Sequence, residues 1–236
     1  MNFCTKMFWK VTAFIALTIA MVVFLAACDF VSITRDVSGT PAGDPPATAS
    51  PVGGEKEDTT SIPVLSELSN NWAPELLNRA YQILHYLNDR DYKQLGEQVH
   101  NVKGVIFSPY AFVYEDAVSF TAEGLKNVDP KEVFVWGLFD GIGDPMNLSV
   151  ADYFDRFVFD HNFIQAPLIG IDNLVHTGNT IVNLEEAFPG ARFVEFHFPG
   201  FNPDYGGIDW ASLRLVFEQA GGQWMLIGVV HDCWTI

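Results

Sequence analysis

The chain is poor in cysteine, poor in basic residues and empty of the common catalytic signatures. Its 236 residues include 3 cysteines, Cys4, Cys28 and Cys233. No C-x-x-C pair occurs, which excludes a zinc or iron–sulfur site built on cysteine. Against 29 Asp and Glu stand only 13 Lys and Arg, for a formal net charge of -16. A surface of that sign repels phosphate backbones and anionic lipid, so neither nucleic-acid binding nor docking through basic patches is expected. There is no G-x-S-x-G, no H-E-x-x-H and no Walker loop. "GIGDP" from Gly141 begins like a dinucleotide fingerprint but lacks the third glycine, and reads as a turn. "DGIGD" sets Asp140 and Asp144 with glycines between them, but the calcium-loop spacing and its terminal glutamate are missing. Carboxylates closing a strand and opening a turn explain it better. Asn147-Leu148-Ser149 fits a glycosylation sequon, read here as chance. No internal repeat, cofactor or metal is expected.

What is present is apolar: 49% of residues are hydrophobic, 14% aromatic and 18% charged. That supports a sizeable core and excludes disorder for most of the chain. Lys6 and Lys10 precede a run, Val11 to Ala27, broken only by Thr12 and Thr18. This is the n-region and h-region of a secretory signal. A retained membrane helix is the alternative, since the run sits at the lower limit of a bilayer span.

Leu25-Ala26-Ala27-Cys28 resembles the lipobox of bacterial lipoproteins. That resemblance implies a diacylglycerol on the Cys28 thiol, cleavage before Cys28, and further acylation of the palmitate type. Two or more acyl chains anchor a protein stably. The chain is then lipid-anchored on the extracytoplasmic side of a cell membrane, in the cell envelope. Cys4 is lost, Cys233 stands alone, and no disulfide forms within the mature chain. Loss of Lys6 and Lys10 takes the net charge from -16 to -18. Asp29 resembles the inner-membrane retention signal of Gram-negative lipoproteins. The expected organisation is a signal peptide over residues 1–27, acylated Cys28 with a flexible linker over 28–61, and one α+β domain over 62–236. The linker reading rests on "SGTPAGDPPATASPVGGEKEDTTS", rich in proline, glycine and small polar residues.

Within the domain, helices come first and strands follow. Leu76, Leu77, Ala80, Ile83, Leu84 and Leu87 share a helical face behind Pro74, and Asn88-Asp89 ends that helix. Tyr92, Leu95 and Val99 suggest a second, short helix. "VIFSPYAFV", "AVSF" and "EVFVWGLF" read as strands, Thr121 and Ser149 as helix caps, and Tyr153, Phe154, Phe157 and Val158 as one helix face. "ARFVEFHF", "DWASLRLVFE" and "QWMLIGVVHDCWTI" close the chain as strands, the last two joined at Gly221-Gly222. Segregated helices and a mainly antiparallel sheet mean α+β. The opening helix pair, the "LNDRDYKQL" junction and the long closing hairpin resemble the NTF2-like, cystatin-like superfamily, which implies helices packed on a curved sheet. "GVIFSPY", "WGLFDGIGDP", "YFDRFVFD", "FVEFHFPGF" and the closing hairpin are similar to a group of uncharacterised bacterial lipoproteins, a resemblance that transfers no catalytic residue.

Two candidate sites emerge. Side chains alternate across a strand, so Val194, Phe196 and Phe198 face one way and Glu195 and His197 the other. Alignment of the apolar sets across the longer loop "PGFNPDYGGI" is read as placing His197 opposite Ser212, and closure at Gly221-Gly222 places His231 opposite Ser212 from the other side. His197, Ser212 and His231 then form a polar row beside Glu195 and Arg214. Such a row can transfer protons or bind a metal, or it is simply the solvated face of the sheet. The second candidate is a pocket of the kind NTF2-like folds hold between long helix and sheet, lined by Tyr110, Trp136, Phe107 and Trp234, whose alternative is plain core packing. Anchor, spacer and compact domain point to a binding or interaction module. Its ligand is a small apolar molecule or another envelope protein, with a homodimer as a further arrangement. The alternative is an enzyme of the isomerase or dehydratase kind, working through an acid–base pair in an apolar cone.

Overall fold

A computed structural model describes residues 72–236. The signal segment, Cys28, the linker and the boundary at Ile62 lie outside the described residues. Among the described residues no helix is long and apolar enough to cross a membrane.

Helix α1 spans Trp72–Asn88 and buries Leu76, Ala80, Ile83, Leu84 and Leu87, the stripe its periodicity dictates. Pro74 falls in its first turn, where a missing N–H costs nothing. The helix stops as Arg90 turns left-handed at φ 54° and the Asp91 N–H donates back to the Tyr86 carbonyl at 3.0 Å. Asp91 then caps α2 (Tyr92–Glu97). Next come β1 (Val105–Ser108), β2 (Ser119–Phe120) and α3 (Ala122–Lys126), the last capped by Thr121. Strands β3 (Val133–Leu138) and β4 (Pro145–Ser149) pair antiparallel as a separate 2-stranded sheet, with "DGIGD" at its turn. Ser149 caps α4 (Val150–Tyr153), which continues as a π turn over Phe154–Val158 rather than the single helix expected. Then follow β5 (Leu168–Ile171), α5 (Leu184–Ala187), β6 (Arg192–Phe198), β7 (Ala211–Ala220) and β8 (Gln223–Cys233).

The main sheet has 6 strands in the order β2-β1-β8-β7-β6-β5. Every pairing is antiparallel except β1 against β8. The architecture is therefore α+β with a mixed sheet. The expected strand "VIFSPYAFV" stops at Ser108, and "PMNLS" and "LIGI" are strands the sequence reading did not include. One sheet face carries the main core, where Phe107, Leu213, Leu215, Phe217, Leu226 and Val229 meet α1 and the Tyr153–Val158 turn. The other face is covered by residues 172–191, a strap with little regular structure. Its Leu184 and Phe188 close a smaller cluster with Val216, Ile227 and Val230.

Candidate functional site

The polar row exists, with one member exchanged. Glu195 pairs Arg214 and His197 pairs Ser212, the pairing expected from the apolar alignment. Ser212, however, pairs Asp232, and His231 pairs Leu213. The cause is a bulge: Phe217 pairs Leu226 but Val216 pairs Gly228, leaving Ile227 as an extra residue. One inserted residue turns every later side chain of β8 to the opposite face. Leu226 therefore lies in the main core while Val230, four residues on, lies in the smaller cluster on the other face.

The row is neither solvated nor under the helices. Glu195, His197, Ser212, Arg214 and Asp232 are all buried on the strap face. The Ser212 hydroxyl donates to Glu195 Oε1 at 2.7 Å and meets His197 Nδ1 at 2.8 Å. A serine whose proton goes to a carboxylate takes its second bond from the imidazole, so neutral His197 carries its proton on Nδ1. That arrangement makes Ser212 a bridge, not a nucleophile. Arg214 donates to Asp232 at 2.9 Å, to Glu195 at 3.2 Å and to the His176 carbonyl at 2.9 Å. The Val175 N–H donates to Glu195 Oε2 at 2.9 Å. Strap backbone is thus tied to sheet side chains. Burial, with His176 and Arg214, lowers the His197 pKa from 6.5 to about 4 against the pull of Glu195. Burial raises the Asp232 carboxyl above its ordinary value despite Arg214.

On the core face His231 Nε2 lies 3.4 Å from Asp160 Oδ1, and its Nδ1 is 3.2 Å from the Pro109 carbonyl. His161 Nδ1 approaches the other Asp160 oxygen at 2.7 Å. Burial opposes the charge on Asp160, but His231 and His161 outweigh it and hold the carboxyl well below the usual range.

Of the aromatic candidates, Tyr110 and Trp136 line a cleft of about 700 Å³. It opens beyond the C-terminal ends of the parallel pair β1 and β8, between the loop after β1 and the β3–β4 hairpin. Thr180 of the strap and Thr235 after β8 close its edge. Trp136 is set rigidly: its ring stacks on Tyr153 at 3.7 Å and its N–H donates to the Leu148 carbonyl at 3.0 Å. The Tyr110 oxygen accepts from the Asp140 N–H at 3.1 Å. Phe107 is core, edge-on to Trp136 and Tyr153. Trp234 is exposed and does not line the cleft. No residue of α1 lines it either, so the cleft is not the helix-against-sheet pocket that was expected.

Sequence reasoning missed Asp232, Asp160, His176 and the cleft residues Asp116 and Phe139. Gly228 within a strand was the available sign of the bulge that brings in Asp232. The rest depend on contacts that no local pattern encodes.

The described residues define a class: an α+β domain with a sealed polar network under one sheet face and an aromatic cleft at the sheet's end. No protein-family model, no curated protein and no solved structure matches the chain, so the chemistry of the site is argued from its own residues.

Proposed function

We propose that the protein is a binding module, lipid-anchored through Cys28 on the extracytoplasmic side of a cell membrane, whose NTF2-like domain takes a small, largely apolar ligand in the cleft. The observation that carries this is the cleft itself. Its volume of about 700 Å³ falls in the range of small-molecule sites, and its walls are mainly aromatic and aliphatic. Val135 and Leu138 line it and are more than half exposed, which leaves apolar surface for a ligand to cover. The NTF2-like reading is supported by α1 packed across a sheet that ends in the β6–β8 meander. The isomerase or dehydratase alternative draws no comparable support: Glu195, His197, Arg214 and His231 are all buried, and none lines the cleft.

The test is titration with a neutral fluorescent probe such as N-phenyl-1-naphthylamine. The full chain should bind it saturably, and Val135→Ser with Leu138→Ser should weaken binding about tenfold, the loss of roughly two buried methylenes' worth of apolar contact. Both positions are exposed, so folding is spared. A wild-type chain that fails to bind, or a double variant that binds equally well, refutes the cleft as the site. The anchor has its own test. Cys28→Ala should abolish metabolic labelling by an alkyne fatty acid and leave an uncleaved precursor, and unchanged labelling and processing would remove the lipid from the proposal.

A further inference from the structure

We infer that the ligand of this cleft is an organic cation, a positively charged ammonium on an apolar body; the inference rests on the binding reading above. Three independent features of the wall agree. The first is charge. Asp116 and Asp140 line the cleft, and among the described residues no Lys, Arg or His does. With a chain charge of -16 behind them, the field at the mouth draws cations and turns anions away.

The second is the disposition of hydrogen-bond donors. An anion needs N–H or O–H groups aimed at it, and the Ser, Thr and Trp donors of the wall are turned to protein partners. The Ser108 hydroxyl faces the Tyr110 and Phe112 carbonyls at 2.8 and 3.1 Å. The Trp136 N–H is held by Leu148 O. The Thr180 and Thr235 hydroxyls lie 2.7 Å from each other, and that of Thr235 donates to Asn179 Oδ1 at 2.9 Å. Beside the two tyrosine hydroxyls, the wall presents ring faces and the carboxylates of Asp116 and Asp140, the latter also accepting from the Ile236 N–H at 2.7 Å.

The third is the rings. Tyr110, Phe112, Tyr114, Trp136 and Phe139 all contribute to one cleft, and a cation over an aromatic face is attracted by the ring quadrupole. The fold already uses one of these rings in this way: the Arg156 guanidinium sits 5.5 Å from the centroid of Phe139. An alkylammonium or quaternary ammonium group satisfies all three features, since it asks for carboxylate and π-face and offers no acceptor in return. A carboxylate or phosphate ligand meets two aspartates and no basic side chain among the described residues of the wall.

The experiment compares three small probes of similar shape on the full chain: benzyltrimethylammonium, its neutral carbon isostere neopentylbenzene, and the anion phenylmethanesulfonate. Saturation-transfer NMR and calorimetry give the affinities. The cation should bind at least tenfold more tightly than the isostere, and the sulfonate most weakly. Asp116→Asn, at an exposed rim position, should erase most of the cation's advantage and leave the isostere unchanged. Added salt should narrow the gap between cation and isostere. If the isostere binds as tightly as the cation, or the sulfonate binds best, the charge assignment is overturned while the apolar cleft stands. If none of the three binds, the binding reading itself falls.

Discussion

Arg214 heads the fully buried side chains by size, and its guanidinium faces two carboxylates that are equally shut off from bulk solvent. A buried ion cluster of this kind is weak evidence for net stability, because desolvation offsets much of the attraction. Its visible work is positional: Arg214 and Glu195 each take one strap backbone group, at His176 and Val175. His197 adds a pH dependence. Its folded pKa of about 4 lies below the ordinary 6.5, so between those values the unfolded chain gains a proton that the folded chain resists. The unfolded state binds more protons there, and stability falls as pH drops from about 6.5 towards 4. Asp232, raised above its ordinary value, pulls the other way over part of that window. The comparison that isolates His197 is therefore wild type against His197→Gln in denaturant titrations at several pH values. The variant should lose slope between pH 6.5 and 4. Parallel curves would mean that His197 takes up its proton as readily folded as unfolded.

Among the elements, the bulge in β8 decides the most. Gly228 lies beside it on the strap face, and a Cβ built there would come within 2.6 Å of the Phe188 ring. Gly228→Ala should therefore displace Phe188, cost about 1–3 kcal/mol as overpacking does, and expose residues 172–191 to limited proteolysis. Unchanged stability and protease resistance would show that the strap does not depend on this contact. The bulge also explains what could be read from sequence. The faces of β6 and β7 were legible, because apolar alternation on both strands fixes which side of the sheet each pair lies on, and the expected His197–Ser212 pair is found. The Gly221-Gly222 turn was legible from its two glycines, at φ 59° and 78°. Thr121 and Ser149 declared themselves as caps. The His231 assignment failed because one unpaired residue, Ile227, reverses faces without altering local composition. β4 was hidden by Pro145 and Asn147, poor strand formers, and β5 by its length of 4 residues. The cleft was half legible: Tyr110 and Trp136 were named, but their neighbours Asp116, Phe139 and Thr180 come from separate segments of the chain.

For the molecule as a whole, the parallel pairing of β1 with β8 carries a kinetic consequence. β8 is flanked by β7, its hairpin mate, and by β1, whose Ser108 meets Val230 across most of the domain's sequence. A hairpin closes a short loop and forms early, whereas a contact of such sequence separation is slow to find. The β7–β8 hairpin should therefore acquire amide protection first in pulse-labelled hydrogen exchange during refolding, with β1 following. Protection of β1 ahead of the hairpin would contradict this order. β8 is also the last strand described and has β1 and β7 as its two neighbours. A chain emerging N-terminus first, from a ribosome or through a membrane pore, presents α1 and β1 long before the strand that joins them to β7 exists. Its interval of exposure to aggregation closes only when residues 223–233 arrive.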